Sequence, residues 1–189
     1  MKKIKTIFER DWNGTRKVIP VPSSGVSLET LELDETVKAT EKVDGMNVRI
    51  TIRNQTVVRV EKRRNPSKMQ KAQGIEEPWY VDIDEFGPED KYIREAVSGR
   101  EYEGIHDGEW SGECYGLNIQ GNPLGMGKNH IMLFSCGEAP IHENVPTEYN
   151  ALKTWLETAK SKVGHNCGIE GIVWHLSDGK MFKIKRKDF

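Results

Sequence analysis

Apolar and polar residues alternate with a period of two over much of this chain, and that pattern predicts strands before anything else. Val37 to Lys42 forms one such run. Val48-Arg49-Ile50-Thr51-Ile52-Arg53 and Val57 to Lys62 alternate as well, and Asn54-Gln55 between them reads as a hairpin turn. Residues 63 to 87 are polar and punctuated by Asn65-Pro66, Gly74 and Phe86-Gly87-Pro88, which predicts a long surface loop. Pro88 to Val97 reads as a helix, with proline near its start and Gly99 past its end. Two strands follow, around Gly108 to Gly116 and Ile131 to Cys136.

The best helix runs from Thr147 to Val163, where Leu152, Leu156, Ala159 and Val163 recur on one face and Gly164 stops it. Glu170 to Leu176 and Lys180 to Lys185 form a second hairpin about Ser177-Asp178-Gly179. No repeat or low-complexity linker interrupts residues 1–189. The pattern predicts one α+β domain of antiparallel sheets flanked by helices.

Composition narrows the function classes. A formal net charge of −1 over 189 residues lacks the basic field of a typical nucleic-acid binder. Charge is nevertheless clustered: Arg59, Lys62, Arg63, Arg64, Lys68 and Lys71 make one basic run, and Lys180, Lys183, Lys185, Arg186 and Lys187 make another. Cys114, Cys136 and Cys167 contain no C-x-x-C pair, and the five histidines lack metal-ligand spacing, which excludes a structural zinc site. Neither a signal peptide nor an apolar run of membrane-spanning length is present, so a cytoplasmic protein is expected.

The candidate chemistry centres on Glu41-Lys42-Val43-Asp44-Gly45-Met46-Asn47. A lysine becomes a nucleophile only when its ammonium loses a proton, and Gly45 beside it would let a phosphate approach the backbone. Lys-x-Asp-Gly alone is a weak signal. Downstream, Gly112-Glu113-Cys114-Tyr115-Gly116 places a carboxylate between glycines, on one strand face with Glu109 and Ser111. Phe134 suits stacking on a base, although a core aromatic is the commoner role for such a residue. Glu170-Gly171-Ile172 opens a strand with another carboxylate. Phe182-Lys183-Ile184-Lys185 puts two lysines on one face: on the outer side of the sheet they cost nothing, and on the inner side they need an anion to stabilise them. Gly121 to Lys128 is glycine-rich but fails the spacing of a phosphate-binding P-loop.

These five motifs, in this order over residues 37 to 187, resemble motifs I, III, IIIa, IV and V of the covalent nucleotidyltransferases: DNA ligases, RNA ligases and mRNA capping enzymes. Asn47 makes the chain look most like the ATP-dependent RNA ligases of the RNA ligase 2 branch. The resemblance implies a nucleotidyltransferase (ATP-grasp-like) fold, ATP and Mg²⁺ or Mn²⁺ as cofactors, and RNA, or DNA, with 5′-phosphate and 3′-hydroxyl ends as partner. It makes Lys42 the residue that takes AMP, Glu113 a ribose contact, Phe134 the adenine platform, Glu170 a metal organiser, and Lys183 and Lys185 phosphate contacts. Asn47 falls among the nucleotide-binding positions. The motif Ia arginine falls on Arg63 or Arg64, and Glu41 is a weaker candidate for an adenine contact. The OB domain of DNA ligases and capping enzymes is not expected in these residues, so the chain would be a stand-alone ligase, a piece of a longer one, or dependent on a partner protein that grips the nucleic acid. A DNA-nick ligase, a capping guanylyltransferase and a silent nucleotide- or RNA-binding module are the competing readings.

Overall fold

The computed structural model describes residues 3–189. In chain order its elements are β1 (Lys5–Thr6), β2 (Phe8–Arg10), β3 (Val18–Pro22), α1 (Leu28–Leu33), β4 (Lys38–Lys42), β5 (Met46–Arg53) and β6 (Thr56–Arg64). Then come α2 (Lys68–Ala72), β7 (Trp79–Asp82), α3 (Lys91–Ser98), β8 (Gly108–Tyr115), β9 (His130–Leu133), α4 (Tyr149–Thr158), β10 (Gly171–His175) and β11 (Met181–Lys185). The fold is mixed α and β, with largely antiparallel sheets, as the alternation predicts.

The described chain folds as two compact units, one of residues 3 and 44–138, the other of residues 4–43 and 139–189. The boundary falls inside the Lys-x-Asp-Gly motif. Lys42 closes β4 in the second unit, and Asp44 belongs to the first.

In the second unit a four-stranded sheet has the order β1-β11-β10-β4, antiparallel except for the β1–β11 pair, and β2 and β3 form a small ribbon. Alternation sends Ile172, Trp174, Phe182 and Ile184 into one core with Leu152 and Leu156 of α4. The first unit holds an antiparallel five-stranded sheet, β7-β6-β5-β8-β9. Its buried face carries Val48, Ile50, Ile52, Cys114 and Leu133, packed with Ile93, Ala96 and Val97 of α3.

Three expected boundaries shift. Residues 63 to 87 are no plain loop: they finish β6 and contain α2 and the edge strand β7. The strand expected to reach Cys136 ends at Leu133, because residues 134–136 turn into a 3₁₀ helix closed by left-handed Gly137 at φ 69°. The helix expected to reach Val163 ends at Thr158. There Ser161 Oγ accepts from the backbone N–H groups of Val163, at 3.0 Å, and Gly164, at 2.7 Å, and so competes with further helix.

Candidate active site

In the second unit, register brings the predicted residues together. Gly171 pairs with Lys42 on one side and Lys185 on the other, and Val173 sits between Thr40 and Lys183. Lys42, Lys183 and Lys185 therefore share the face opposite the apolar core. Glu170 bridges two of them: Lys42 Nζ donates to Glu170 Oε2 at 2.6 Å, and Lys185 Nζ lies 2.8 Å from Glu170 Oε1. The carboxylate side chain is 10 % exposed and the lysines 22 % each. A pair this shielded interacts more strongly than a surface ion pair. His175 lies on the same face, with Nε2 2.9 Å from Thr40 Oγ1, and burial together with Lys38 pushes its pKa down.

Gly171 is what lets the lysines flank one point. A β-carbon there would stand 2.0 Å from Ile184 O and 2.8 Å from Lys185 Cα, both backbone atoms. Gly171→Ala should therefore push β11 away from β10 and cost about 1–3 kcal/mol, the usual cost of overpacking. A thermal midpoint equal to that of wild type would refute this.

Glu41, the weaker candidate for an adenine contact, lies on the other face of β4. It precedes Lys42 on the strand, so its side chain takes the opposite face and is buried. Its carboxylate accepts from His142 Nε2 at 3.0 Å, from Lys162 N at 2.7 Å and from Ser161 Oγ. Its neighbours hold it to the residue 161–164 turn, away from the Lys42 face. His142 and Ser161 had no motif to mark them.

In the first unit Asn47 and Glu113 are cross-strand partners. Asn47 Nδ2 donates to Gly112 O at 3.1 Å and to Glu113 Oε2 at 3.3 Å, while Tyr80 OH donates to Asn47 Oδ1 at 2.8 Å. Arg63 pairs in register with Tyr80 and so shares this polar face, whereas exposed Arg64 points the other way. Arg63 Nε is buried with no hydrogen-bond partner. Phe134 is 40 % exposed on the 3₁₀ turn after β9, outside either core. Burial pushes the Cys114 thiol up, so this cysteine is packing and not a nucleophile.

Gly45 is required for a reason other than phosphate approach. A β-carbon there would lie 2.3 Å from Cys114 O, so glycine allows β5 to close against β8. The basic run from Arg59 to Lys71 is also less available than its sequence suggests. Lys62 is buried on Asp90, and Arg59 grips Asp82, leaving Arg64, Lys68 and Lys71 exposed. A cavity of about 790 Å³ in this unit is lined by Val57, Val60, Val97 and Tyr102 and by none of the predicted site residues. Among the described residues no three metal-ligating side chains cluster, and no helix is long and apolar enough to cross a membrane.

Residues 107–189 match the sequence model of the RNA ligase 1 family. The RNA-ligase resemblance read from the motifs is borne out. The RNA ligase 1 of Pongo abelii is 40 % identical over 77 residues, which are 39 % of this chain and 22 % of that protein. That of Rattus norvegicus is 38 % identical over 77 residues, with the same coverage of 39 % and 22 %. This chain thus spans about a fifth of the curated RNA ligases it matches. A solved RNA ligase of Naegleria gruberi, described with AMP and Mn, is 16 % identical with a TM-score of 0.49, covering 98 % of this chain and 61 % of that one. The RNA ligase match contains Glu113, Phe134, Glu170, Lys183 and Lys185. Asn47, which pointed to the RNA ligase 2 branch, lies outside it.

Proposed function

We propose that this chain is an ATP-dependent RNA ligase of nucleotidyltransferase fold, with residues 1–189 working as one adenylyltransferase domain. The observation that carries the reading is the Lys42–Glu170–Lys185 cluster around Gly171. In the first step Lys42 Nζ attacks the α-phosphate of ATP, a nitrogen–phosphorus bond forms, and the bond to pyrophosphate breaks. The amine attacks only as the free base. Its ion pair is therefore a resting arrangement, and Glu170 Oε2, 2.6 Å away, is placed to take the proton. Lys183 and Lys185 then bind phosphate oxygens and stabilise the charge that develops on them. AMP passes from Lys42 to the 5′-phosphate of an RNA end, and a 3′-hydroxyl displaces it to seal the strand.

Glu113 and Asn47 serve the nucleotide's ribose side, and Phe134 stacks on its base. Of the two arginine candidates Arg63 fits the nucleotide contact better, because it shares a face with both polar residues and keeps a buried donor unused. Exposed Arg64, Lys68 and Lys71 remain for RNA phosphates. A divalent ion, Mg²⁺ or Mn²⁺, would neutralise and orient the triphosphate when bound. Glu170 would help hold it, one carboxylate being a common protein contribution to Mg²⁺ bound with phosphates.

Incubation with labelled ATP and Mg²⁺ should transfer one AMP to the protein through an acid-labile, alkali-stable phosphoramidate bond, with labelled GTP giving none. The charged protein should then seal a nicked RNA duplex in preference to a nicked DNA. Absence of label on the wild-type chain would end this reading; DNA-only sealing would keep the chemistry and change the substrate.

A further inference from the structure

Tyr80 belongs to the stretch that reads in sequence as loop, and no motif marks it. It lies in β7 at the edge of the five-stranded sheet, where alternation puts Tyr80 and Asp82 on the polar face. Its ring is held on one face. The Arg49 guanidinium stacks over it, 4.7 Å from the ring centroid, and Arg49 is itself locked to buried Glu61 through bonds of 2.6 and 2.8 Å. Its hydroxyl is thereby aimed at Asn47.

A side-chain amide has a donor end and an acceptor end, and its neighbours decide which way it faces. The Gly112 carbonyl can only accept, so it draws the Asn47 NH₂ group to its side, 3.1 Å away. That leaves Oδ1 facing the Tyr80 hydroxyl at 2.8 Å. With both ends fixed, Nδ2 also stays within 3.3 Å of Glu113 Oε2 and steadies that carboxylate. Without the phenol, Asn47 keeps only its donor end engaged, and the amide loses the bond that fixes its acceptor end.

We infer that Tyr80 is a positioning residue: through its hydroxyl it sets the Asn47 amide and, through that amide, the Glu113 carboxylate for contact with the nucleotide. This rests on the reading above, in which Asn47 and Glu113 serve ATP. Tyr80 itself need not touch the nucleotide.

The test is Tyr80→Phe, which removes one oxygen and keeps the ring beneath Arg49. The ATP concentration that half-saturates self-adenylylation should rise roughly three- to tenfold, the net worth of one hydrogen bond, while the maximal rate stays within about twofold. In an Asn47→Ala background the same change should have no further effect, because its intermediary is gone. An unchanged half-saturation value, or an equal rise in both backgrounds, overturns the inference. Should Tyr80→Phe fail to fold, Tyr80→Leu, which also lacks a hydrogen-bond donor, is carried through the same two backgrounds and judged by the same two criteria. Failure of wild type to take up AMP would instead remove the underlying reading, so the two failures are separable.

Discussion

Lys42→Ala should take up no AMP, a loss limited only by the detection floor of the labelling assay. The expectation is this large because, in the proposed reaction, the amine becomes part of the covalent product and no other group would replace it. Lys183 and Lys185 share its sheet face, but Lys185 is tied to the other oxygen of Glu170 at 2.8 Å, and Lys183 stands one rung further along. Lys42→Arg separates charge from nucleophilicity. It keeps a cation for Glu170, yet a guanidinium stays protonated in proteins and cannot attack. Both variants should be equally inert in labelling, and Lys42→Arg should keep the fold. Both should regain sealing when the RNA end carries AMP in advance, since that substrate bypasses the lysine. Labelling of Lys42→Ala at the wild-type level would place the nucleophile elsewhere.

The strands around the motifs were legible because their signal is local. Val48 to Arg53 alternates cleanly, and its apolar set is the set found buried. The face of Lys183 and Lys185 was open to two readings, and pairing through Gly171 and Val173 is what aligns it with Lys42. The bridging role of Glu170 was not legible, since it depends on contact between residues 128 positions apart in the chain.

Other errors came from polar segments. Helix α2 did carry a readable sign, the Ser67–Gln70 capping box, but it lacks a buried residue and so gives no apolar stripe. The surroundings of Glu41 were not legible either. Its place beside Lys42 suggested a ligand contact, whereas period two sends neighbours to opposite faces, and only the distant His142, Ser161 and Lys162 account for its burial. Tyr80 was missed because the strand that carries it is short and lies at a sheet edge, where packing supplies little pattern.

Asp90→Ala should be the most damaging single change to stability outside the cores, at about 3–5 kcal/mol. Lys62 donates to both Asp90 oxygens at 2.6 Å, and their side chains are 11 % and 1 % exposed. Asp90 Oδ2 also accepts from the Asp84 N–H at 2.9 Å, so the carboxylate ties β6 to the turn that precedes α3. Removing it leaves an ammonium shut away from water without its partner. That is far costlier than losing an exposed pair such as Lys180–Asp178. The double change Asp90→Leu with Lys62→Met should recover much of the loss, but not the part that belongs to the Asp84 N–H. The pair also predicts an acid limb. Burial pushes the Asp90 carboxyl up, but the hydrogen bonds from Lys62 and Asp84 outweigh it and hold the group below its ordinary value of 3.8. A depressed carboxyl stabilises the fold above its unfolded value and loses that contribution as pH falls through the folded one. Wild-type stability should therefore drop below about pH 4, with a shallower slope in Asp90→Ala. Thermal unfolding followed between pH 7 and pH 3 measures both effects. A midpoint for Asp90→Ala within 2 °C of wild type at pH 7 would mean that this pair does not hold α3 to the sheet, since about 3 kcal/mol corresponds to a shift on the order of 10 °C in a chain of this size.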